Sequence, residues 1–120
     1  MPDLTRKEVI TIIAVSEHPR LAGVDLSGLN LSSLNLADAD LTRANLSGAN
    51  LENTYLRGAR LEEANLQNAN LTNANLKEAN LKGANLQNVN VTGAILNDTN
   101  LFGARLDNTN LSTARGYQRS

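Results

Sequence analysis

Few residues of this 120-residue chain are of the types that carry catalytic or metal-binding chemistry. His18 is the only histidine, and there is no cysteine. A metal site would therefore rest on carboxylates alone, and a Ser-His-Asp triad would need His18 beside a nucleophile. His18 lies between Glu17 and Pro19, where a capping or solvent-facing role is the favoured interpretation. We expect no enzyme activity, no catalytic or metal site and no cofactor.

The charges narrow the classes of partner. Eleven Lys and Arg residues are interspersed with twelve Asp and Glu residues, for a net charge of −1. There is no basic patch of the kind that binds nucleic acid, and no acidic field that would attract a basic partner. The apolar run at residues 9–15 is too short to span a bilayer. We therefore expect a cytoplasmic protein that binds neither nucleic acid nor a membrane.

Most of the chain consists of a sequence repeat with a period of five residues. Every fifth residue from Leu21 to Leu111 is leucine, except Val91. A second series with the same spacing, from Val24 to Ala114, holds twelve alanines in nineteen positions. The residue before each central leucine or valine is Asn or Asp in fourteen of nineteen cases. The consensus Ala-Asn-Leu-x-x continues without an insertion.

A period of five fits neither an α-helix nor a flat strand. The Ala and Leu of one repeat are two residues apart, so they share one side of a short extended segment. The odd step to the next Ala keeps that side inward only if the chain bends at a corner, where small polar residues and glycine are favoured. Opposite charges such as Arg43 and Glu63 pair more often at a separation of twenty residues than at fifteen. The pattern favours a coil of four sides.

The tandem Ala-Asp/Asn-Leu-x-x motif resembles the pentapeptide-repeat family from residue 21 to residue 114. The resemblance implies an all-β solenoid, specifically a right-handed quadrilateral β-helix. In that fold the central Leu and the preceding Ala point inward, and the other three positions face solvent. Nineteen sides at four per coil correspond to about five coils. We predict a capping helix at residues 1–18, the β-helix at residues 19–115 and a tail at residues 116–120.

The central positions of the middle repeats are the predicted structural core. They are Leu41, Leu46, Leu51, Leu56, Leu61, Leu66, Leu71, Leu76, Leu81, Leu86, Val91 and Leu96.

The two ends of the array differ in sequence. Thr5 and Glu8 have the spacing of a capping box at a helix start, and Pro19 is expected to end that helix. A short α-helix would therefore cover the first coil. No apolar helix follows the last repeat, so we expect a monomer, or a weak homodimer that forms through the C-terminal end.

Departures from the consensus mark the candidate contact surface. Tyr55 and Ile95 replace Asn or Asp in one outward column, and Phe102, the only phenylalanine, is also outward. A wider apolar patch around them would be a binding surface. Another column is asparagine throughout, at residues 30, 50, 70, 90 and 110. We interpret that column as structural, with side-chain amides hydrogen-bonded along a ladder.

These features favour a non-enzymatic interaction or scaffold module with an unknown protein partner. The alternative that the family suggests is a DNA-mimicking regulator of a topoisomerase such as gyrase. Family members with that activity present a long acidic rod. The net charge of −1 and the short array of this chain count against the alternative.

Overall fold

The computed structural model describes residues 2–117 of the chain. One α-helix, α1, spans Arg6–Ala14. A coiled segment follows, and a 3₁₀ turn at Leu111–Thr113 lies near its end. Met1 and residues 118–120 of the predicted tail lie outside the described residues. Within the described range, no helix combines the length and the hydropathy needed to cross a membrane.

The coiled segment is held together by parallel bridges between residues twenty apart in sequence. The first of them joins Arg20 to Asp40 and the last joins Ile95 to Arg115. Because each repeat has five residues, a step of twenty means four repeats per coil and a four-sided section. Each bridge stands alone, because a turn interrupts every side before a longer strand can form. The described part of the chain measures 38 × 26 × 21 Å.

Each repeat turns its corner through a left-handed residue. A backbone φ between 58° and 72° recurs at every fifth position from Gly23 to Asn108. In the third coil, the N–H of Ala64 donates to the carbonyl of Leu61 across such a corner, at 3.1 Å. This is the arrangement of a type II turn, whose third residue needs a positive φ. Glycine and asparagine tolerate that conformation best, and together they hold most of these corners.

Hydrogen bonding within a repeat explains why Asn or Asp precedes the central leucine. Four of the five backbone N–H groups donate to backbone carbonyls, either across the corner or on a neighbouring coil. The fifth belongs to the residue after the leucine. It donates to the side-chain Oδ1 two residues earlier, as Gln67 N–H does to Asn65 at 3.0 Å.

All fourteen Asn and Asp residues at this position make that bond. The five positions that depart from the rule are Arg20, Tyr55, Arg60, Ile95 and Arg105.

The interior is a narrow column of leucine and alanine. The twelve central positions listed above are between 0% and 4% exposed. Thr54 occupies an alanine position and is also buried. Its hydroxyl donates to the carbonyl of Leu31 at 2.9 Å, so this polar group is satisfied inside the core.

Helix α1 and the residues before it lie on the first coil. Thr5 and Glu8 exchange side-chain-to-backbone bonds at the helix start, and the capping box is complete. Val9 is fully buried with the leucines of the solenoid. Leu4, Ile12 and Ile13 pack against the same cluster.

The backbone edge of the first coil also receives hydrogen bonds from this segment. Asp3 N–H donates to the carbonyl of Asp25 at 2.6 Å, and Asp25 N–H donates back to Asp3 Oδ2 at 2.8 Å. The Arg6 guanidinium donates to the carbonyl of Asn30 at 2.9 Å.

The bond made by Asn65 can be tested in the middle of the array. Asn65→Ala removes the acceptor of Gln67 N–H and is expected to cost about 1 kcal/mol in the free energy of unfolding. The melting temperature, measured by circular dichroism, should fall by about 4 °C. Asn65→Asp retains an acceptor oxygen at neutral pH and should stay close to the wild type. Equal melting temperatures for all three proteins would contradict a stabilising role for this side chain.

Candidate contact surfaces

The rod has four faces, which are numbered in chain order. Each face consists of the repeats that lie on one side of successive coils, and these repeats are joined through their bridging residues. Faces 4 and 1 are adjacent, as are faces 2 and 3. The bridging columns are Arg20, Asp40, Arg60, Asn80 and Asn100 for face 1; Asp25, Asn45, Asn65, Asn85 and Arg105 for face 2; Asn30, Asn50, Asn70 and Asn90 for face 3; and Asn35, Tyr55, Asn75, Ile95 and Arg115 for face 4.

The faces differ in chemistry. Thirteen of the seventeen charged residues between positions 20 and 115 belong to repeats of faces 4 and 1. Faces 2 and 3 carry mainly Asn, Gln, Ser, Thr and Gly. Four of the five departures from the Asn/Asp rule are also on faces 4 and 1, and the exception is Arg105. One half of the rod is therefore regular and largely uncharged, and the other half is varied and charged.

The three residues of the predicted contact surface do not form one patch. Tyr55 and Ile95 share the bridging column of face 4, with Asn75 between them. Tyr55 is 43% exposed, whereas Ile95 is half-buried. Phe102 is 74% exposed, but it belongs to face 1 in the last coil.

Phe102 instead lines a groove of about 450 Å³ at the C-terminal end, with Tyr117, Leu96 and Leu101. Tyr117 was not identified from the sequence because it lies beyond the last repeat, where no periodic pattern assigns it to a face.

The asparagine column of face 3 does not form the predicted amide ladder. Asn70 Oδ1 accepts the backbone N–H of Thr72 at 3.0 Å, and each of the other asparagines in this column accepts in the same way. Among residues 2–117, no side-chain amide of the column donates to the next asparagine, and Asn70 Nδ2 points to Glu52 Oε2 at 3.5 Å. The prediction was wrong because the nearby backbone N–H needs the amide oxygen as its acceptor.

The C-terminal edge of the last coil is open within the described range. The N–H groups of Leu101, Gly103, Leu106 and Asn108 have no acceptor among residues 2–117. In earlier coils the equivalent groups donate to the next coil. The central leucines of this last coil are also partly exposed, unlike those of the middle coils.

Two of the four surface ion pairs among residues 2–117 join neighbouring coils. Arg43 Nη2 is 3.3 Å from Glu63 Oε1, a pair at the predicted separation of twenty. Arg57 Nη2 is 3.0 Å from Glu78 Oε1. The hydrogen bond and charge of Glu78 raise the pKa of Arg57. Such exposed pairs contribute little to stability, because solvent screens the charges.

Near helix α1, faces 4 and 1 enclose a recess of about 460 Å³. It is lined by His18, Arg20, Asp38, Asp40 and Arg60. No group of three or more His, Cys, Asp or Glu side chains in residues 2–117 is placed to hold a metal ion.

Asp40, which lines this recess, accepts two hydrogen bonds from Thr42. Its Oδ1 accepts the Thr42 hydroxyl at 2.7 Å and the Thr42 N–H at 3.1 Å. These two bonds, with smaller contributions from Arg60 and Arg20, hold the pKa of Asp40 below its usual value of 3.8.

Comparison with known proteins gives a consistent family match. The model for pentapeptide repeats (8 copies) matches residues 20–58, 59–98 and 79–115. A search of curated proteins found no match.

Three solved structures illustrate the similarity. The pentapeptide repeat protein Rfr23 of the cyanobacterium Cyanothece 51142 is 43% identical, over 74% of this chain and 54% of that one, with a TM-score of 0.40. A pentapeptide repeat protein of the Arabidopsis thaliana thylakoid lumen is 33% identical, over 71% of this chain and 59% of that one, with a TM-score of 0.35. This chain therefore spans little more than half the length of these two relatives.

QnrB1, a plasmid-mediated fluoroquinolone resistance protein, is 18% identical over 80% of this chain and 67% of that one, with a TM-score of 0.54. At this identity the likeness is one of fold alone.

The lowered pKa of Asp40 predicts a specific dependence of stability on pH. A carboxylate whose pKa is lower in the folded state stabilises the fold above its unfolded pKa, and this contribution is lost as the pH falls through the folded value. Asp40→Asn keeps an acceptor oxygen but does not titrate. The stability of the wild type relative to Asp40→Asn, measured by urea unfolding, should therefore fall between neutral pH and about pH 3. The prediction would be contradicted if the difference in unfolding free energy between the wild type and Asp40→Asn stayed constant over this pH range.

Proposed function

The chain belongs to the pentapeptide-repeat family, and on that premise we propose that it is a non-enzymatic module that binds another protein. One observation carries the proposal. Charged and exposed apolar residues, and the departures from the Asn/Asp rule, are concentrated on faces 4 and 1. A rod that needed only to be stable would have no reason to treat its two halves differently. The mixture of Tyr, Arg and apolar groups on one side is typical of protein interfaces.

The proposal includes the finer geometry of the rod. It is a right-handed coil of nineteen sides and about five turns, closed at the N-terminal end by α1. The twenty-residue bridges support the four-sided section. The buried Val9 and the bonds from Asp3 and Arg6 to the first coil support the closure.

The cellular compartment and the class of partner are part of the same proposal. The net charge of −1 and the mixture of both signs support a protein partner in the cytoplasm, without nucleic acid or membrane binding. The same charges disfavour a DNA-mimicking gyrase regulator, because no face presents the continuous negative charge of a phosphate backbone.

Affinity capture with the full chain tests the proposal. The bait is incubated with host lysate, cross-linked and analysed by mass spectrometry, and each candidate is purified and its binding measured directly. We expect to find one protein that binds the wild type directly. Its affinity for the double variant Tyr55→Asn, Ile95→Asn should be at least tenfold lower. That variant restores the consensus and should fold. Thr72→Arg on face 3 is the control and should bind as the wild type does.

Two outcomes would overturn the proposal. One is that no purified candidate binds the wild type directly. The other is that gyrase is the partner and the wild type inhibits its supercoiling activity, which would establish the DNA-mimic alternative.

The open C-terminal edge supports a second element of the proposal, a monomer in equilibrium with a weak homodimer. Edge N–H groups that find no acceptor within residues 2–117, together with exposed Phe102, favour pairing with another edge. Helix α1 lies over the opposite end, so head-to-tail stacking is blocked. The remaining arrangement joins two C-terminal edges about a two-fold axis, which closes as a dimer. The single small edge favours weak association.

Sedimentation velocity over a range of protein concentrations tests this association. The wild type should sediment faster as its concentration rises, and Phe102→Asp should remain a monomer because it places a charge in the contact. Val15, which is 81% exposed at the other end, provides the matched control Val15→Asp. Pairing through the C-terminal edge would be contradicted if the wild type stayed monomeric at every concentration. It would also be contradicted if Phe102→Asp and Val15→Asp weakened the dimer equally.

A further inference from the structure

The N-terminal segment reproduces, at the end of the rod, the hydrogen bonds that a preceding coil makes in the interior. Within the array, the Asn45 carbonyl accepts Leu26 N–H at 2.7 Å, and Asn45 N–H donates to the Val24 carbonyl at 3.0 Å. Asp25 is one coil lower in the same column, where no earlier repeat exists. Asp3 takes over both bonds, because its N–H donates to the Asp25 carbonyl and its Oδ2 accepts Asp25 N–H.

The same replacement occurs on face 3. The Asn30 carbonyl accepts the Arg6 guanidinium at 2.9 Å. One coil higher, the Asn50 carbonyl accepts a backbone N–H of the preceding coil at 2.8 Å. Val9 adds apolar contact, because it is fully buried against the leucines of the solenoid. Residues 3–14, here called the plug, therefore occupy sites that elsewhere in the rod serve the stacking of one coil on the next.

The C-terminal edge carries the other half of such a stacking contact on face 2. Inside the array, Arg105 N–H donates to the Ala84 carbonyl at 2.9 Å, and Leu86 N–H donates to the Arg105 carbonyl at 2.8 Å. One coil higher, the corresponding groups are the Ala104 carbonyl and Leu106 N–H. Neither makes such a bond within residues 2–117. The two groups have the arrangement that receives one more bridging residue above Arg105.

The first coil of a second copy fits this edge. If the coils continue in register, Asp25 of the second copy follows Arg105 in the face 2 column, and the two side chains have opposite charges. Phe102, which is 74% exposed, then lies over the small Ala22 of the second copy. No column brings two like charges together at the junction for residues 100–117. The two ends of the rod are therefore complementary in backbone bonding, in side-chain size and in charge.

We propose that the N-terminal end of the rod is a docking surface for the C-terminal edge of a second copy of this chain, and that the plug keeps this surface occupied. When the plug is displaced, Leu106 N–H donates to the Asp25 carbonyl of the second copy, and Asp25 N–H donates to the Ala104 carbonyl. Each added copy again presents a C-terminal edge, so this head-to-tail contact repeats and builds a filament. With the plug in place, association is limited to the pairing of two C-terminal edges.

The inference goes beyond the proposed function, because it concerns the ends of the rod and not the partner of faces 4 and 1. Its physical basis is the general one that a solenoid needs its terminal coils covered and that an uncovered edge pairs with another chain. The plug is a cover that bonds as a coil does but does not continue the array.

Disulfide cross-linking of the full chain tests the register, because the chain has no cysteine of its own. Head-to-tail stacking places Ser27→Cys of one copy about 4.8 Å from Asp107→Cys of the next, which a disulfide can bridge. The unplugged variant, Asp3→Ala, Arg6→Ala, Val9→Asp, loses the bonds and the apolar contact of the plug. With the two cysteines added, it should give a ladder of covalent multimers on a non-reducing gel. The same cysteines in a chain with an intact plug should give none.

Two controls separate register from misfolding. Lys7→Ala changes an exposed plug residue that makes none of these contacts, so it should not produce a ladder. In the unplugged variant, the pair Ser27→Cys and Ser112→Cys places the second cysteine on face 3, where head-to-tail stacking does not bring it to residue 27. This mismatched pair should give no ladder. A cooperative thermal transition, measured by circular dichroism, verifies that each variant is folded.

The charge pair at the junction provides an independent test by sedimentation velocity. In the unplugged variant, Arg105→Asp places two aspartates together at each junction and should weaken the association at least about tenfold relative to Arg105→Asn. Both substitutions supply the side-chain acceptor that Arg105 lacks, so both chains should fold equally well.

Three results would overturn the inference. They are the absence of a ladder in the unplugged variant, an equal ladder from the mismatched cysteines or from the chain with an intact plug, and equal association of Arg105→Asp and Arg105→Asn. None of these measurements uses the partner of faces 4 and 1, so their failure is distinct from a failure of affinity capture.

Discussion

The structure depends on one backbone N–H per repeat that no backbone carbonyl can reach. Four N–H groups of each repeat are satisfied by the turn or by neighbouring coils. The fifth follows the central leucine and needs a side-chain oxygen two residues earlier. Short Asn and Asp side chains reach it, as in an Asx turn. The requirement recurs every five residues, and this explains why Asn or Asp is repeated along the chain together with Leu and Ala.

This constraint also distinguishes the regular repeats from the exceptional ones. A repeat that keeps Asn or Asp gains a hydrogen bond, worth about 1 kcal/mol, whereas a repeat with Arg, Tyr or Ile forgoes it. Faces 2 and 3 keep the bond at nearly every bridging position. Faces 4 and 1 forgo it at Arg20, Tyr55, Arg60 and Ile95. Proteins commonly lose some stability at functional surfaces, so these four missing hydrogen bonds are consistent with the contact surface proposed on faces 4 and 1.

The ends of the rod show a different division of roles. Any solenoid leaves one layer of backbone donors and acceptors unpaired at each end, and its core is exposed there as well. At the first coil, Asp3 and Arg6 supply hydrogen bonds and Val9 supplies apolar cover. At the last coil, Leu101 and Leu106 remain partly exposed and their N–H groups have no acceptor in the described range. The two ends are therefore chemically different surfaces.

The family, the period and the inward positions followed from the amino-acid sequence alone, because each repeat obeys the same local rule and the rule recurs nineteen times. The sequence also indicated that Tyr55, Ile95 and Phe102 are exceptional. Which of the exceptional residues lie together depends on how the coils stack, and the sequence alone did not show this. Arg20 and Arg60 are forty residues apart and meet in one recess with His18, whereas Phe102 joins Tyr117 and not Tyr55. The tertiary structure also showed that the asparagine amides bind their own backbone and not each other, because that depends on which donor the coil leaves unpaired.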